Sequence, residues 1–376
     1  MPPNGATITV TLGFMPASHA MPDVDHPGLL RAGPRAGAPY GGEHVERHSC
    51  PATDLAQGTT TRSDLLELGF DTVDLSPFEE LQGTFARVAD AGRITEADAA
   101  TIRAALKGLT LRCAGGATLQ VLHIADEGLI MRSAGPNGLS VVAPQPTGMN
   151  DHGAATSVHA DQDVYGTPLA QLMDGRAPSL LRHDSPDGPN HDAGLMLVNL
   201  WVPLHQITQP LVLGDGRSID RRRHQLRYGL PTTAFLERDD DMVINDIWKF
   251  LHDPGQRWYL RSELDHRSAY VFDTLSTAHT AGTLPGEETA ERCYRALEDA
   301  EAAVLARDAA ALAGAVAPAR HPDVPTDTPP ALRAAIAAMV AVADEAGDAP
   351  AAVCGERAEA WLTASRAARR AVIRMS

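Results

Sequence analysis

The stretch Gly194-Leu-Met-Leu-Val-Asn-Leu-Trp-Val202 is nearly all apolar and is the strongest β-strand pattern in the sequence. A strand without polar alternation suits burial on both faces or a place in a barrel wall. Another β-rich stretch follows it, from Arg257 to Asp273. Shorter β-like runs, broken by Gly, Pro and Asn, precede it at Leu109–Cys113, Thr118–Ile124, Leu129–Ser133 and Leu139–Val142. The middle of the chain is therefore predicted to be a β core.

Helical patterns flank this core on both sides. Before it, Ser76-Pro77 and Thr95 each open a segment with apolar residues at helical spacing. After residue 297 the sequence is rich in alanine, and helices are predicted over Ala300–Val316, Ala331–Ala343 and Ala352–Arg374. The predicted fold class is α+β with three regions. These are a loosely ordered arm with one strand over residues 1–60, the core with its leading helices over 61–298, and a helical extension over 299–376.

Composition and charge exclude several classes of protein. Of the 376 residues, 44% are hydrophobic and 21% are charged, as in globular rather than disordered proteins. The formal net charge of −16 argues against nucleic acid or an anionic membrane as a partner. No apolar run approaches the roughly 18 residues that span a bilayer, and the first residues lack a secretory pattern. A cytoplasmic protein is expected.

Cysteine and glycine patterns exclude further kinds of site. The four cysteines lie far apart and form no CxxC pair, which argues against a zinc ribbon or a disulfide framework. Neither G-x-G-x-x-G nor a P-loop is present, so the two commonest nucleotide-binding folds have no support. The unusual count is 15 histidines, an excess that suits a metal enzyme or a metal-scavenging surface.

A metal site is suggested by the His-x-Asp motif His159-Ala160-Asp161. A non-haem Fe(II) oxygenase binds its metal through two imidazoles and one carboxylate and leaves adjacent positions open. Strand alternation places both side chains of a His-x-Asp pair on one face. Chance alone gives about two His-x-Asp or His-x-Glu pairs at this composition, and three are present, so a surface pair is the open alternative.

A remote histidine is the candidate for the third ligand. His279 follows the apolar run Tyr270-Val-Phe-Asp273 and small polar residues, 120 residues beyond His159. This separation leaves room for the strands that must intervene in a double-stranded β-helix. A core histidine with an ordinary hydrogen-bond partner is the alternative for His279.

An ordered set of motifs resembles a known family. The resemblance covers roughly residues 156–297. Its matching segments are, in order, His159-Ala-Asp-Gln162, Asn199-Leu-Trp-Val-Pro203, Gln209-Pro-Leu-Val-Leu-Gly-Asp-Gly-Arg-Ser218, Arg257-Trp-Tyr259, Phe272-Asp273 and His279-Thr-Ala281. They resemble the hydroxylase/desaturase family of fungal and bacterial secondary metabolism, which includes gibberellin-desaturase-like proteins and a component of cephamycin 7α-hydroxylation. One departure is Val202, where members of the family have an arginine.

The resemblance implies a fold, a metal and co-substrates. It implies a double-stranded β-helix (a jelly-roll, cupin-like core) that binds Fe(II) through His159, Asp161 and His279 and uses 2-oxoglutarate and dioxygen. It also implies a small secondary metabolite as substrate, with hydroxylation, desaturation or oxidative cyclisation as the reaction. Asp161 argues against halogenation, because halogenases of this type replace that carboxylate with a small residue.

The distal carboxylate of 2-oxoglutarate needs a cation, and arginine binds carboxylates in a bidentate way. Two arginines follow the distal histidine at a suitable distance, and the family's Arg-Ala-Leu pattern favours Arg295 over Arg292. The alternative is that Glu287–Leu305 forms one continuous helix in which both arginines are solvated.

Several further questions stay open at this stage. A non-haem iron oxidase with the same ligands, or a cupin-like binding protein or hydrolase, are the rival functions. The C-terminal helices are amphipathic and either form a homodimer or cover the barrel. Gln162 and Asp163 are candidates for orienting the metal ligands. The segment with His183, Asp184, His191 and Asp192 is interpreted as a mobile surface loop or lid, with a second metal site as the weaker alternative.

Overall fold

A computed structural model describes residues 7–32, 45–56, 62–125, 128–141, 148–164, 179–205, 210–231, 244–262 and 264–376. Gln209 of the sequence motif and Val142 of a predicted strand lie outside these residues.

Seventeen strands are present in this described part of the chain. They are β1 (Thr7–Phe14), β2 (Ala20–Pro22), β3 (Leu30–Ala32), β4 (Glu46–Asp54), β5 (Phe70–Asp74), β6 (Thr110–Arg112), β7 (Thr118–Gln120), β8 (Ser133–Ala134), β9 (His159–Ala160), β10 (Val198–Trp201), β11 (Leu211–Gly214), β12 (Gln225–Pro231), β13 (Ile244–Phe250), β14 (Trp258–Leu260), β15 (Ser268–Asp273), β16 (His279–Ala281) and β17 (Arg374–Met375). Ten of them form one mixed sheet in the order β1-β4-β14-β11-β16-β9-β13-β12-β3-β2. A smaller sheet has the order β10-β15-β5, and β17-β8 and β6-β7 form two-stranded sheets.

The small sheet packs face to face against the centre of the large one. Tyr270 and Phe272 of β15 share a buried hydrophobic cluster with Leu211 and Leu213 of β11. Burying one face of each sheet in this way produces a two-layer β core. With the helices described next, the architecture is α+β and resembles a jelly-roll.

The apolar run Gly194–Val202 forms a strand over only part of its length. Strand β10 covers Val198–Trp201, and these four residues are half-buried rather than fully enclosed. The run therefore lies at an edge of the small sheet, with β15 as its paired neighbour in that sheet.

Eight α-helices surround the sheets in the described part of the chain. They are α1 (Glu79–Ala91), α2 (Glu96–Leu106), α3 (Arg221–His224), α4 (Glu287–Leu305), α5 (Ala309–Val316), α6 (Pro330–Asp348), α7 (Pro350–Val353) and α8 (Ala358–Arg370). Thr95 begins α2 with a capping box, in which its side chain and that of Asp98 each accept a bond from the other's backbone N–H.

The C-terminal helices cover the outer face of the large sheet. Trp248 and Val212 from the sheet lie in one hydrophobic cluster with Leu297, Met339 and Trp361 from the helices. Covering the β core is therefore one role of these helices. The helical part begins at the start of α4, earlier than the alanine-rich composition indicates, and no helix in the described ranges is both long and apolar enough to cross a membrane.

The N-terminal arm differs from its prediction. Where one strand in a loose arm is expected over residues 1–60, the described residues 7–32 and 45–56 form four strands, and β1 pairs with β4 over eight residues. Val10, Leu12 and Phe14 of β1 are completely or almost completely buried. The reason is their alternation with polar residues, which is the pattern of a strand with one face in a core.

Candidate metal centre

Strand pairing brings the two predicted histidine ligands together. His159 on β9 lies directly opposite His279 on β16, and their ring centroids are 4.2 Å apart. Side chains at directly paired positions point to the same face of a sheet. Both rings therefore face the interior between the two sheets, where the ring of His279 lies 4.6 Å from that of Phe272.

Asp161 completes the group. Its two carboxylate oxygens lie 3.3 Å from Nε2 of His159 and 3.5 Å from Nε2 of His279. One ligand atom from each of the three residues falls within 4.8 Å of the others, and the structure contains no other such His, Cys, Asp or Glu group among its described residues. The pattern of two imidazoles and one carboxylate is the one that non-haem Fe(II) oxygenases require.

Backbone carbonyls fix the orientation of both imidazole rings. Nδ1 of His159 is 2.8 Å from the carbonyl oxygen of Ser157, and Nδ1 of His279 is 3.0 Å from that of Thr277. A carbonyl oxygen only accepts hydrogen bonds, so each Nδ1 carries the proton and donates it. The lone pair of each Nε2 is thereby directed at Asp161.

The electrostatics of the group favour a bound cation. Burial, together with the neighbouring His279, lowers the pKa of His159 to about 3, so its ring is neutral at physiological pH. Burial opposes ionisation of Asp161, but His279 and His159 hold the pKa of this carboxyl well below its usual range. Two nitrogen lone pairs and a carboxylate thus converge on one point. A divalent cation there would satisfy all three, which is the donor set that fits iron.

Asn199 holds the carboxylate ligand in place. Its side-chain amide donates a hydrogen bond to Oδ2 of Asp161, and its carbonyl accepts one from the hydroxyl of Thr274 at 3.1 Å. Asn199 enters the sequence prediction as part of a family motif, without a role of its own. A polar residue in the middle of an apolar strand is the signal that could have pointed to one.

Asp163 does not face the metal ligands. It forms a buried ion pair with Arg227 of β12, and Arg227 also contacts Asp23 at 3.1 Å. Arg31 of β3 lies 3.6 Å from the same Asp23. This alternating row of charges joins the segment after the metal motif to the N-terminal strands, so Asp163 positions the segment rather than a ligand.

A lysine missed by the sequence analysis lies beside His159. Lys249 on β13 is directly opposite His159 and only 3% exposed. Its amine donates a hydrogen bond to the hydroxyl of Ser157 and lies 5.6 Å from the centre of the Tyr228 ring. Burial lowers the pKa of Lys249 to about 7. A lysine within an apolar strand pattern is the signal that could have identified it.

The two arginines predicted to bind 2-oxoglutarate lie elsewhere. Glu287–Leu305 is one continuous helix, α4, which is the alternative left open by the sequence. The side chain of Arg295 is 55% exposed and pairs with Glu291 at 2.8 Å, one turn earlier. Arg292 is also exposed and donates to the hydroxyl of Thr289 at 3.2 Å. The structure does not bring either arginine to the three candidate ligands, because helical periodicity turns both away from the core.

Asp161 is the most exposed of the three candidate ligands, and its carboxylate contacts β10. The side chain of Asp161 is 30% exposed, whereas those of His159 and His279 are 2% and 8% exposed. Asn199 and Trp201 are half-buried and, being two residues apart, share the face of β10 that carries the contact to Asp161. Val202 instead packs into the hydrophobic cluster of α1 and α2. The family's arginine position therefore faces away from the metal ligands in this chain.

Of the segment predicted as a lid or a second metal site, the part around His183 is built into the core, whereas His191 and Asp192 are exposed. His183 is 5% exposed, and its Nδ1 lies 3.2 Å from Asp273 and 2.7 Å from the hydroxyl of Ser276. Its ring lies so close to Gly69 and Gly216 that a Cβ at either glycine would come within 2.4 Å of it. His183 is thus fixed by packing, and it belongs to no metal-binding group among the described residues.

No family model matches the sequence, and no curated protein is detectably similar to it. Among solved structures, the chain is similar to an iron and alpha-ketoglutarate-dependent endoperoxidase NvfI, with a TM-score of 0.42 and 17% identity over 74% of this chain and 91% of that one. A structure of the same enzyme in a different conformation gives a TM-score of 0.43 and 17% identity over 74% and 90% of the two chains. At this distance the similarity does not assign a function.

Proposed function

We propose that this chain is an Fe(II)- and 2-oxoglutarate-dependent oxygenase that acts on a small molecule. The observation that carries the proposal is the convergence of Nε2 of His159, Nε2 of His279 and the carboxylate of Asp161 on one buried point. The order of motifs in the sequence, from His159-Ala-Asp161 to His279-Thr-Ala281, supports the same assignment.

Each residue of the site would have its own role in this function. His159, Asp161 and His279 bind iron, which supplies, with 2-oxoglutarate and dioxygen, the oxidising power that removes hydrogen from a substrate. The carbonyls of Ser157 and Thr277 hold the two rings with Nε2 forward. Asn199 holds the carboxylate so that the three ligands stay on one side of the metal.

The proposed entry for the substrate lies next to β10, where Asp161 is partly exposed. Trp201 lies on the same face of this strand as Asn199, and its ring centroid is 5.9 Å from that of Tyr270. An aromatic side chain next to a partly exposed metal ligand suits a small, largely apolar compound. We propose a secondary metabolite as substrate, with hydroxylation, desaturation or oxidative cyclisation as the reaction, in a cytoplasmic protein. The ligand set also supports the runner-up, an iron oxidase that does not use 2-oxoglutarate.

The test is anaerobic addition of Fe(II) and then 2-oxoglutarate to the purified protein. We expect a visible charge-transfer band and, after admission of air, oxygen-dependent conversion of 2-oxoglutarate to succinate. His279→Ala is the matched negative control. Iron binding without the band would favour the iron oxidase, and a protein that binds no iron would contradict both.

A further inference from the structure

Lysine is rare in this chain, and one of its two lysines is buried beside the metal centre. The sequence has 32 Lys and Arg residues together, of which only Lys107 and Lys249 are lysines. Lys107 is exposed at the end of α2, whereas Lys249 is 3% exposed on β13. A buried ammonium group is costly unless it faces negative charge or hydrogen-bond acceptors. The surroundings of the Lys249 amine therefore indicate what it can bind.

Strand register places this amine on the same face as the metal ligands. Lys249 lies directly opposite His159, which in turn lies directly opposite His279. Directly paired residues of neighbouring strands point to the same face. The three side chains thus form a row across β13, β9 and β16, with the lysine next to the ring of His159.

The head group of Lys249 has a hydroxyl beside it. Its amine donates to Oγ of Ser157, which is 4% exposed and lies two residues before His159. Because this oxygen accepts from the lysine, its own proton is available to an anion. An ammonium group and a hydroxyl group side by side are donors that suit a carboxylate.

Three arginines are less well placed than Lys249 to bind such a carboxylate. Arg295 and Arg292 are exposed on α4. Arg132 is half-buried and acts electrostatically on Asp161, yet its guanidinium donates to the backbone carbonyl of Gly153 at 2.8 Å. Its effect on Asp161 places it near the carboxylate ligand rather than in the row behind His159.

We propose that Lys249, together with the hydroxyl of Ser157, binds the distal carboxylate of the 2-oxo acid co-substrate. The inference rests on the proposed function, because it assumes that a 2-oxo acid binds the metal through its keto acid end. The anchor is then a lysine on the strand next to that of the His-x-Asp motif, instead of an arginine beyond the distal histidine.

The test compares two 2-oxo acids with the same keto acid end. Under anaerobic conditions with Fe(II), 2-oxoglutarate and 2-oxobutanoate, which lacks the distal carboxylate, are titrated while the charge-transfer band is recorded. The wild-type protein should bind 2-oxoglutarate more tightly. Lys249→Met should weaken 2-oxoglutarate binding about 10- to 100-fold, the size expected for lost charge-assisted hydrogen bonds, and leave 2-oxobutanoate binding unchanged.

Matched variants separate the role of Lys249 from its effect on folding. Lys107→Met removes the other lysine and should keep the full preference for the diacid. Lys249→Arg should restore part of the preference, and Ser157→Ala should lose part of it. Retention of the preference in Lys249→Met would overturn the inference, as would its loss in Arg132→Met alone. A wild-type protein that binds neither acid would instead contradict the proposed function.

Discussion

Asn199 donates a side-chain hydrogen bond to Asp161, and so a strand of the small sheet holds a candidate metal ligand that follows a strand of the large sheet. Thr274, which follows β15, in turn donates to Asn199. The metal centre therefore depends on the packing of the two sheets against each other. The position of the carboxylate is set by the core as a whole rather than by the His-x-Asp motif alone.

Replacing Asn199 should weaken metal binding without removing a ligand. In Asn199→Ala the carboxylate of Asp161 loses its donor, and we expect the affinity for Fe(II) or Mn(II) to fall about 10- to 100-fold. Mn(II) binding followed by electron paramagnetic resonance measures the change. Asn150→Ala is the matched control, because that amide bonds the backbone of Ile94 instead. Equal affinities of Asn199→Ala and the wild type would contradict the role of Asn199.

Removing the distal histidine should abolish metal binding while leaving the fold intact. His279→Ala deletes one of three ligands in a site that offers few others, so we expect no measurable Fe(II) affinity and no iron-dependent turnover. Calorimetry gives the affinity, and circular dichroism gives the fold. His48→Ala, at a partly exposed histidine that stacks on His252, should bind metal normally. Activity retained in His279→Ala would remove this residue from the site.

The three candidate ligands can be predicted from the sequence because the patterns that indicate them are local. Alternation along a strand places His159 and Asp161 on one face, and an apolar strand that ends before His279 indicates the remote ligand. The register that sets the two histidines opposite each other is a property of strand pairing. It brings together residues 120 positions apart and cannot be read from either segment.

The proposed co-substrate anchor, Lys249, is harder to predict for the same reason. Counting residues beyond His279 leads to Arg295, but Ala290, Tyr294 and Leu297 are buried on α4 at helical spacing, and this periodicity favours the helix. Lys249 becomes a neighbour of His159 only through the pairing of β13 with β9. Long-range pairing also explains why β1 is buried, because its partner β4 lies well beyond it in the sequence.

The buried charge row at the N-terminal strands should make stability depend on pH. Burial opposes ionisation of Asp23, but the backbone N–H of Asp25 and the guanidinium of Arg227 outweigh it and lower the pKa of Asp23 below its usual range. A lowered pKa contributes stability that is present above the unfolded value of about 4 and is lost as pH falls through the folded value.

Asp23→Asn should therefore reduce the free energy of unfolding by about 3 kcal/mol at neutral pH, because Arg227 and Arg31 lose a buried partner. The difference from the wild type should shrink below pH of about 4, where Asp23 becomes protonated in the unfolded chain. Urea unfolding at several pH values measures this. Asp25→Asn, at the exposed neighbour, should leave the curve unchanged. A difference in the free energy of unfolding between Asp23→Asn and the wild type that does not change with pH would contradict this role of the Asp23 charge.

A buried ion pair holds the C-terminal strand β17 in place. Removing one partner of this pair should destabilise the fold more than removing both. Arg374 of β17 lies 2.6 Å from Glu287 at the start of α4, and the two side chains are 9% and 0% exposed. Burial raises the pKa of Glu287 and lowers that of Arg374, so each group depends on the other for its charged state. Arg374→Met should destabilise the fold by about 3–5 kcal/mol, because the carboxylate of Glu287 is left without its cation.

Arg374→Met combined with Glu287→Gln should recover a large part of this loss. The double variant has no isolated charge, and its glutamine carbonyl can still accept the bond that Glu287 accepts from the backbone N–H of Asn137 at 2.7 Å. Urea unfolding of both single variants and the double variant measures the coupling. The surface pair of Arg357 and Glu345, each about half exposed, supplies the control, and Arg357→Met should change little. Losses that add without recovery would show that Arg374 stabilises the fold through packing rather than through charge.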